Sequence, residues 1–420
     1  MKFLHAADLH LDSPLRGLAR YDGAPVDEIR GATRRAFKNL IDLAVNEEVS
    51  FVLLVGDLFD GDWKDYNTGL FFVSQVARLR EAGIPAFIVS GNHDAASQIT
   101  KVLRPPDNVH TFATSKPETV LLENIGVALH GQGFATRAVT DDLTLQYPAA
   151  QSGFFNVGLL HTALDGRPGH ASYAPCSVDG LKTKGYDYWA LGHVHNREVV
   201  SEDPWIVFPG NIQGRHIREA GEKGCSLVSF DDQKVEAIEH RALDVVRWAD
   251  CRLDASSHAH FDELLDDGRS KLEQLVDQAE GRLVAARITI TGACLFNAQL
   301  RASQEQIVNE FRALASTYGQ DRLWIERVLI NSHAKQTEDA ALERDDALGG
   351  LLRKIRDLDF DSARHADLIG DFAALRAKLP SELLESEDSF DPTDEEALRG
   401  VLPDVKELLI RGLLDHGETR

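Results

Sequence analysis

Over the first 243 residues, short apolar runs alternate with polar stretches whose apolar positions recur at helical spacing, as in VDEIRGATRRAFKNLIDLAVNEE followed by FVLLVGD. Val/Leu/Ile-rich runs separated by helices predict an α/β domain on largely buried strands. Five of these runs end alike. AADLH closes on Asp8 and His10, VLLVGD on Asp57, FIVSGNHD on Asn92 and His93, VGLLH on His161, and WALGHVH on His193 and His195. Strands that each finish in Asp, Asn or His deliver those side chains to one sheet edge, and a shared metal centre accounts for all five endings at once. Further strands are predicted at 128–134, 206–210 and 225–230, without such endings, enough to fill one or two packed sheets.

The texture changes near Val245. WADCRLDA, a polar helical stretch at 258–280, RLVAARITITG, a helix at 303–318 and RLWIERVLINS follow in turn. The alternation in Arg287-Ile288-Thr289-Ile290 and Trp324-Ile325-Glu326-Arg327-Val328 suits half-exposed strands backed by two helices, so a small α/β accessory domain is expected at 245–335. Beyond it, at 336–420, strand signals stop. ALERDDALGGLLRKIRDL and PDVKELLIRGLLDHG carry Leu351, Leu352, Ile355 and Leu358, and Leu408, Leu409, Leu413 and Leu414, at helical spacing. Between them SELLESEDSFDPTDEEA has no basic residue and reads as a solvated link.

With 420 residues, two or three domains are expected, and 43% hydrophobic with 27% charged residues describes a soluble globular chain. No apolar run reaches the ~18 residues that cross a bilayer, and no signal-like segment precedes Asp8, so the cytoplasm is the expected location. Cys176, Cys225, Cys251 and Cys294 are scattered with no CxxC spacing, which argues against a thiolate metal site and a disulfide framework. The formal net charge is -22, awkward for a chain that binds nucleic acid unaided. Half of that excess lies in 338–420, where 22 acidic and 11 basic residues leave a net of -11.

Asp8 and His10, two apart on an extended run, point to the same side; His193 and His195 repeat the arrangement behind Gly192. Asp57 follows Gly56, which permits a sharp exit from the strand, and its two oxygens can bridge two cations. Two carboxylates, one amide and four imidazoles, with His93 set aside, suffice for two sites of about four ligands sharing Asp57. Mixed nitrogen and oxygen donors without sulfur suit Mn, Fe or Zn better than Ca or Mg. Such a pair of cations can clamp a phosphate and activate water for in-line displacement. A lone histidine after an apolar run is ordinarily a hydrogen-bonded structural residue, but five such endings ask for one common cause.

The blocks D-x-H, G-D-x-x-D, G-N-H-D, H and G-H-x-H, in that order over about 1–200, resemble the calcineurin-like metallophosphoesterases. The resemblance implies a two-sheet sandwich flanked by helices. It assigns Asp8, His10, Asp57 and His195 to one metal, Asp57, Asn92, His161 and His193 to the other, and to His93 the protonation of the leaving oxygen, a task that an imidazole suits. LHAADLHLDSPLRGL, YAPCSVDGLKTKGYDYWALGHVH and PGNIQGRHIREAGEKG are further similar to bacterial DNA repair exonucleases of the SbcD and YhaO type. That likeness covers about 1–335, with a capping domain at 245–335 and a tail matched only in architecture. It implies a DNA exonuclease or endonuclease, Mn as the favoured metal, DNA as substrate, an SMC-like ATPase of the SbcC type held by the tail, and a homodimer as a further partnership. Some relatives have His where this chain has Asp60, which fits an acidic partner for a metal-bound imidazole.

Around this core, Arg215 and His216 in IQGRH follow a predicted strand, and a guanidinium there can grip a phosphate oxygen; a surface loop arginine is the plainer alternative. His170 and Tyr173 are weaker candidates for substrate contact. Arg30, Arg34 and Lys38, with Arg35, lie at helical spacing and suit a solvated face better than a track for a nucleic-acid backbone. His5, His110 and His130 are expected to be structural. The competing activity is hydrolysis of small phosphoesters such as nucleotides, which the acidic composition favours. A scaffold that had lost catalysis would lack ligands, and none of the five blocks is missing one.

Overall fold

In a computed structural model, residues 1–13, 24–60, 66–96, 104–166, 173–231, 234–319, 321–334, 346–358, 372–373 and 394–417 are described. Their contacts divide them into two compact units. The first comprises Met1–Cys251, Gly268–Ile288 and Val308–Leu329, the second Arg252–Asp267, Thr289–Ile307 and Ile330–Arg420.

Two six-stranded sheets form the frame of the first unit. One runs β12 (Lys234–Ala242), β11 (Gly224–Asp231), β1 (Lys2–Ala6), β2 (Phe51–Val55), β3 (Ala86–Val89) and β4 (Val109–Thr111); the other runs β5 (Glu118–Leu122), β6 (Val127–Gly131), β7 (Phe155–His161), β8 (Tyr188–Gly192), β10 (Trp205–Phe208) and β9 (Glu198–Glu202). In the first sheet β1 to β4 are parallel, and in the second β6, β7, β8 and β10 are; the remaining pairs are antiparallel. Each central strand is buried on both faces and splits its side chains by the two-residue period. Phe51, Leu53, Val55, Phe87, Val89, Phe155, Val157, Leu159, Tyr188 and Ala190 fill the space between the sheets. Phe3 stacks on Phe51 with centroids 4.9 Å apart, and Phe155 on Phe230 at 4.7 Å.

The opposite rows bury against helices and loops. Val52, Leu54, Ala86 and Ile88 pack with Ala36, Phe37, Leu40, Ile41 and Ala44 of α2 (Ala32–Asn46) and with Phe72, Val76 and Leu79 of α3 (Tyr66–Glu81). Between β1 and α2 lies the short α1 (Val26–Arg30). Trp189 and Leu191 pack with Tyr147, Leu181 and Phe208 on the outer face of the second sheet. The molecule is thus the two-sheet α/β sandwich that the sequence implied. The edge strands β5, β9 and β12 escape the sequence pattern because they are only partly buried and carry polar residues, as in KVEAIEHRA.

His5 and His130 are tied into this frame. The His5 Nε2–H donates to Leu191 O at 3.1 Å while Nδ1 accepts from the Tyr188 hydroxyl at 2.9 Å, and burial drives its pKa down to about 3. His130 Nε2–H donates to Asn156 Oδ1 at 3.0 Å. All four cysteines are buried free thiols.

Strands Val246–Asp254, Leu283–Thr291 and Leu323–Ile330 make a three-stranded sheet in that order, with helices Phe261–Gln278 and Gln304–Ser316 between them in sequence. Helices Ala347–Arg356 and Glu395–Gly417 pair through Leu352, Ile355 and Ile410, and leave Leu351, Leu358, Leu408 and Leu409 exposed. The expected acidic link lies outside the described residues except at its end, where Glu395 begins the second of these helices. Among the described residues no helix is long and apolar enough to cross a membrane.

Candidate metal centre

The inter-sheet rows end in the candidate ligands. His161 is the last residue of β7 and continues the row Phe155, Val157, Leu159, while Asp57 lies two residues past Val55 on the same alternation. The segments leaving β1 and β2 stay zipped together: Asp8 N–H bonds Gly56 O at 3.1 Å, His10 N–H bonds Asp57 O at 2.9 Å, and Leu11 N–H bonds Leu58 O at 2.9 Å. Asp8, His10, Asp57 and His193 have φ of 51°, 42°, 52° and 100°. Left-handed backbone at a non-glycine residue costs on the order of 1–3 kcal/mol and persists only where the surroundings impose it; here it recurs where side chains must converge. Gly56, at φ 84°, makes the sharp exit expected of it. Gly192 answers a different need, since a Cβ there would stand 1.9 Å from Val55 O.

Two donor clusters result. In the first, His10 Nε2 and His195 Nε2 face one another at 3.3 Å, with Asp8 Oδ1 3.8 Å from the latter. In the second, His161 Nε2 lies 3.1 Å from Asn92 Oδ1 and 3.4 Å from Asp57 Oδ2, and Asp57, His161 and His193 all bring donor atoms within 4.8 Å of one another. His161 Nδ1–H donates to Val55 O at 3.1 Å, which turns Nε2 toward these oxygens. Facing imidazole nitrogens, and an imidazole nitrogen facing two oxygens, need a proton or cation between them. The donor set fits divalent metals on that ground. Without metal, protons serve. Against its burial, the charge and hydrogen bond of Asp57 push the pKa of His161 up to about 9, and His161 in turn holds Asp57 below the usual carboxylate range despite burial.

Asp57 also fixes the next turn, accepting from His93 N–H at 2.9 Å. Asp94, in the same GNHD turn, is buried and accepts from the N–H groups of Leu58, Phe59 and Gly91 at 2.9, 3.1 and 3.0 Å, so it welds the β2 loop to α4 (Asn92–Ala96). Burial and the Asp57 charge raise its pKa to about 7, while those three N–H groups favour its ionised form. Asp8 Oδ2 accepts from His193 N–H at 2.9 Å.

Asp60 stands between two histidines, 2.9 Å from His93 Nδ1 and 3.4 Å from His10 Nδ1, and its other oxygen accepts from Ser13 Oγ at 2.6 Å. Its role as an acidic neighbour of imidazoles is thus visible in the geometry. Burial works against charging His93, but the Asp60 hydrogen bond and the Asp57 charge outweigh it and raise its pKa. The His93 and His10 rings meet edge to face at 5.0 Å.

Arg215 is neither a surface residue nor a free fork. Its Nε and NH2 group face Glu219 at 3.4 and 2.9 Å, and its NH1 group lies 4.0 Å from Asp60 Oδ2, so a buried and a half-buried carboxylate already engage it. His216 Nε2 lies 3.7 Å from Glu219 Oε1. Glu219 carries no motif signal in the sequence, being one of several charged residues in REAGEKG; it accepts from His195 Nδ1–H at 2.7 Å. Tyr173 places its ring 5.7 Å from that of His193, and His170 lies outside the described residues. In the basic stripe, Arg34 pairs with Asp12, while Arg30, Arg35 and Lys38 are exposed.

Comparison with known proteins places these residues in a family. The description "Calcineurin-like phosphoesterase" matches residues 1–197, and "Metallophosphoesterase YhaO, middle domain" matches residues 248–333. The uncharacterized metallophosphoesterase YhaO of Bacillus subtilis (strain 168) is 36% identical over 299 residues, 70% of this chain and 72% of that protein. The DNA double-strand break repair protein Mre11 of Sulfurisphaera tokodaii is 27% identical over 263 residues, 58% of this chain and 63% of that protein; that of Methanopyrus kandleri is 25% identical over 276 residues, 59% and 58%. The solved structure of TT1561 from Thermus thermophilus covers 58% of this chain and 98% of its own at 14% identity, with a TM-score of 0.34. By its match to YhaO and its five motif blocks, the chain belongs to the calcineurin-like metallophosphoesterases, metal-dependent phosphoester hydrolases whose dinuclear site takes divalent cations.

Proposed function

We propose that the chain is a DNA nuclease that hydrolyses phosphodiester bonds at this centre. The observation that carries the reading is the meeting, where strands of both sheets end rather than at the edge of one sheet, of the donor groups Asp8/His10/His195 and Asp57/His161/His193 beside a histidine, His93, that is hydrogen-bonded to a carboxylate. DNA as the substrate is supported by the likeness to the archaeal Mre11 proteins. Asp8, His10, Asp57 and His195 would hold one cation and Asp57, Asn92, His161 and His193 the other; the nitrogen and oxygen donors suit manganese, iron or zinc, and the resemblance to the DNA repair nucleases is what favours manganese. Bound there, two divalent cations neutralise phosphate charge and lower the pKa of water.

The chain's own groups do the rest. Asp57 turns Oδ2 to His161 at 3.4 Å, and its Oδ1 holds the His93 backbone. Asp60 takes the Nδ1–H of His93 and leaves Nε2–H to protonate the departing oxygen. Arg215, paired with Glu219 and Asp60, offsets the acidic groups that would otherwise repel a phosphate. The net charge of -22 makes unaided DNA binding weak, so we assign DNA affinity to a complex in which the exposed leucines of the tail dock an SMC-like ATPase, with self-association as a second partnership. The same acidity favours the alternative, small phosphoesters.

The test incubates the Mn-loaded chain, with and without its co-purifying partner, with labelled DNA and with a panel of nucleotides. DNA cleavage, reduced about 10²–10⁴-fold in H93A with metal retained, is the expected result; turnover of nucleotides with none of DNA refutes the nuclease reading.

A further inference from the structure

Glu219 lies in the one-turn helix Ile217–Glu219, far in sequence from every ligand block, yet only 4% of its surface is exposed. Its oxygens are saturated. Oε1 accepts from His195 Nδ1–H at 2.7 Å and from the Arg215 NH2 group at 2.9 Å; Oε2 accepts from Arg215 N–H at 2.8 Å and Asn211 Nδ2 at 2.9 Å. An imidazole whose Nδ1–H is committed in this way carries its lone pair on Nε2, and that nitrogen is the one facing His10 Nε2 at 3.3 Å. The backbone of His195 is fixed separately, through Lys223 Nζ, which donates to its carbonyl at 2.8 Å.

The loop that carries Glu219 is clamped in turn. Gln213 donates to Val246 O at 2.6 Å and accepts from Val245 N–H at 2.8 Å, while Trp248 Nε1–H donates to Gly214 O at 3.0 Å. Trp248 and Trp324 pack with Ile217, Ile29 and Ala32 in one apolar cluster. The loop cannot rotate Glu219 away from His195 without breaking these contacts.

We propose that Glu219 is the positioning residue of the first metal site, fixing His195 as the Nδ1–H tautomer with Nε2 aimed at the cation, and that the Gln213–Trp248 clamp sets Glu219. The proposal rests on the metal-site reading above. A carboxylate behind a ligating imidazole fixes its tautomer and raises its basicity, and removing one weakens metal binding by about 10–100-fold.

The experiment follows Mn binding to the metal-free full chain by electron paramagnetic resonance, alongside thermal unfolding of the metal-free protein, for wild type, E219Q, H195A and the double variant. E219Q is expected to weaken one of two Mn sites about 10–100-fold, while the metal-free protein still unfolds cooperatively, at a lower temperature because Arg215 loses its charged partner. In the H195A background the same change is expected to have no further effect on Mn affinity. Unchanged affinity in E219Q, or an equal loss in the H195A background, overturns the proposal. Should E219Q not fold, nitrogen-15 shifts of the His195 ring in wild type decide: an Nε2–H tautomer overturns it, an Nδ1–H tautomer with bare Nε2 supports it. A wild type that binds no Mn refutes the metal-site reading instead, so the two failures are distinct.

Discussion

Replacing Asp60 by Asn keeps the shape beside His93 and removes the charge. The wild-type carboxylate lies 2.9 Å from His93 Nδ1, with 16% of its side chain and 31% of the imidazole exposed, so solvent screens the pair only in part. A hydrogen bond to a charged group contributes about 1.5–3 kcal/mol. At about 1.4 kcal/mol per pH unit, its loss lowers the His93 pKa by roughly one to two units. The sign follows from the chemistry. If His93 is the acid proposed above, activity is held below its pKa and lost as pH rises through it, and wild-type His93 sits above the ordinary value of 6.5. In D60N the alkaline limb of kcat/KM therefore moves down by about one to two units, with rates converging on the wild type at low pH and falling about 10–100-fold behind above both pKa values. The assay compares pH profiles of both proteins on a DNA phosphodiester under equal, verified Mn loading. A control aryl phosphodiester, whose leaving group needs no proton, should show little difference. An alkaline limb that stays in place on DNA would refute the assignment of Asp60 and His93 as an acid pair.

Two further outcomes are expected. Gly192→Ala would drive a Cβ to 1.9 Å from Val55 O and 2.9 Å from His161 Nδ1, so urea unfolding should show a loss of about 3 kcal/mol or more, at the upper end of overpacking costs because the obstacle is backbone; a loss under about 1 kcal/mol contradicts the packing described. His161, with its pKa pushed up to about 9, carries a proton at pH 7 when metal is absent, and a ligating imidazole must give it up. Calorimetry of Mn binding at pH 7 in buffers of different ionisation enthalpy should show release of about one proton for this group, and H161A should lose that release together with metal affinity.

The strands and their ligand endings were legible because both obey local rules. A strand buried on two faces must be apolar throughout, and the two-residue period that puts Phe155, Val157 and Leu159 between the sheets carries on to His161 with no further information. Ligand identities likewise come from residue chemistry at strand ends. The turn at Gly56 is legible for the same reason, being a local backbone matter. Partly buried edge strands such as β12 leave no comparable pattern, since one polar side is enough to blur the period.

What the sequence determined by itself is therefore the α/β frame, the seven candidate ligands and the histidine set apart from them. What tertiary structure decided is how those residues are held. Glu219 meets His195 across 24 residues, Asp94 meets Leu58 across 36, and Gly192 is forced by a carbonyl on β2 that no neighbouring residue announces. Arg215 shows the same limit: its loop suggested a free cation, and only the folded chain places Glu219 and Asp60 against it. Periodicity records which face of an element is buried, whereas a hydrogen bond between loops depends on distances that exist only once both sheets have closed on one another.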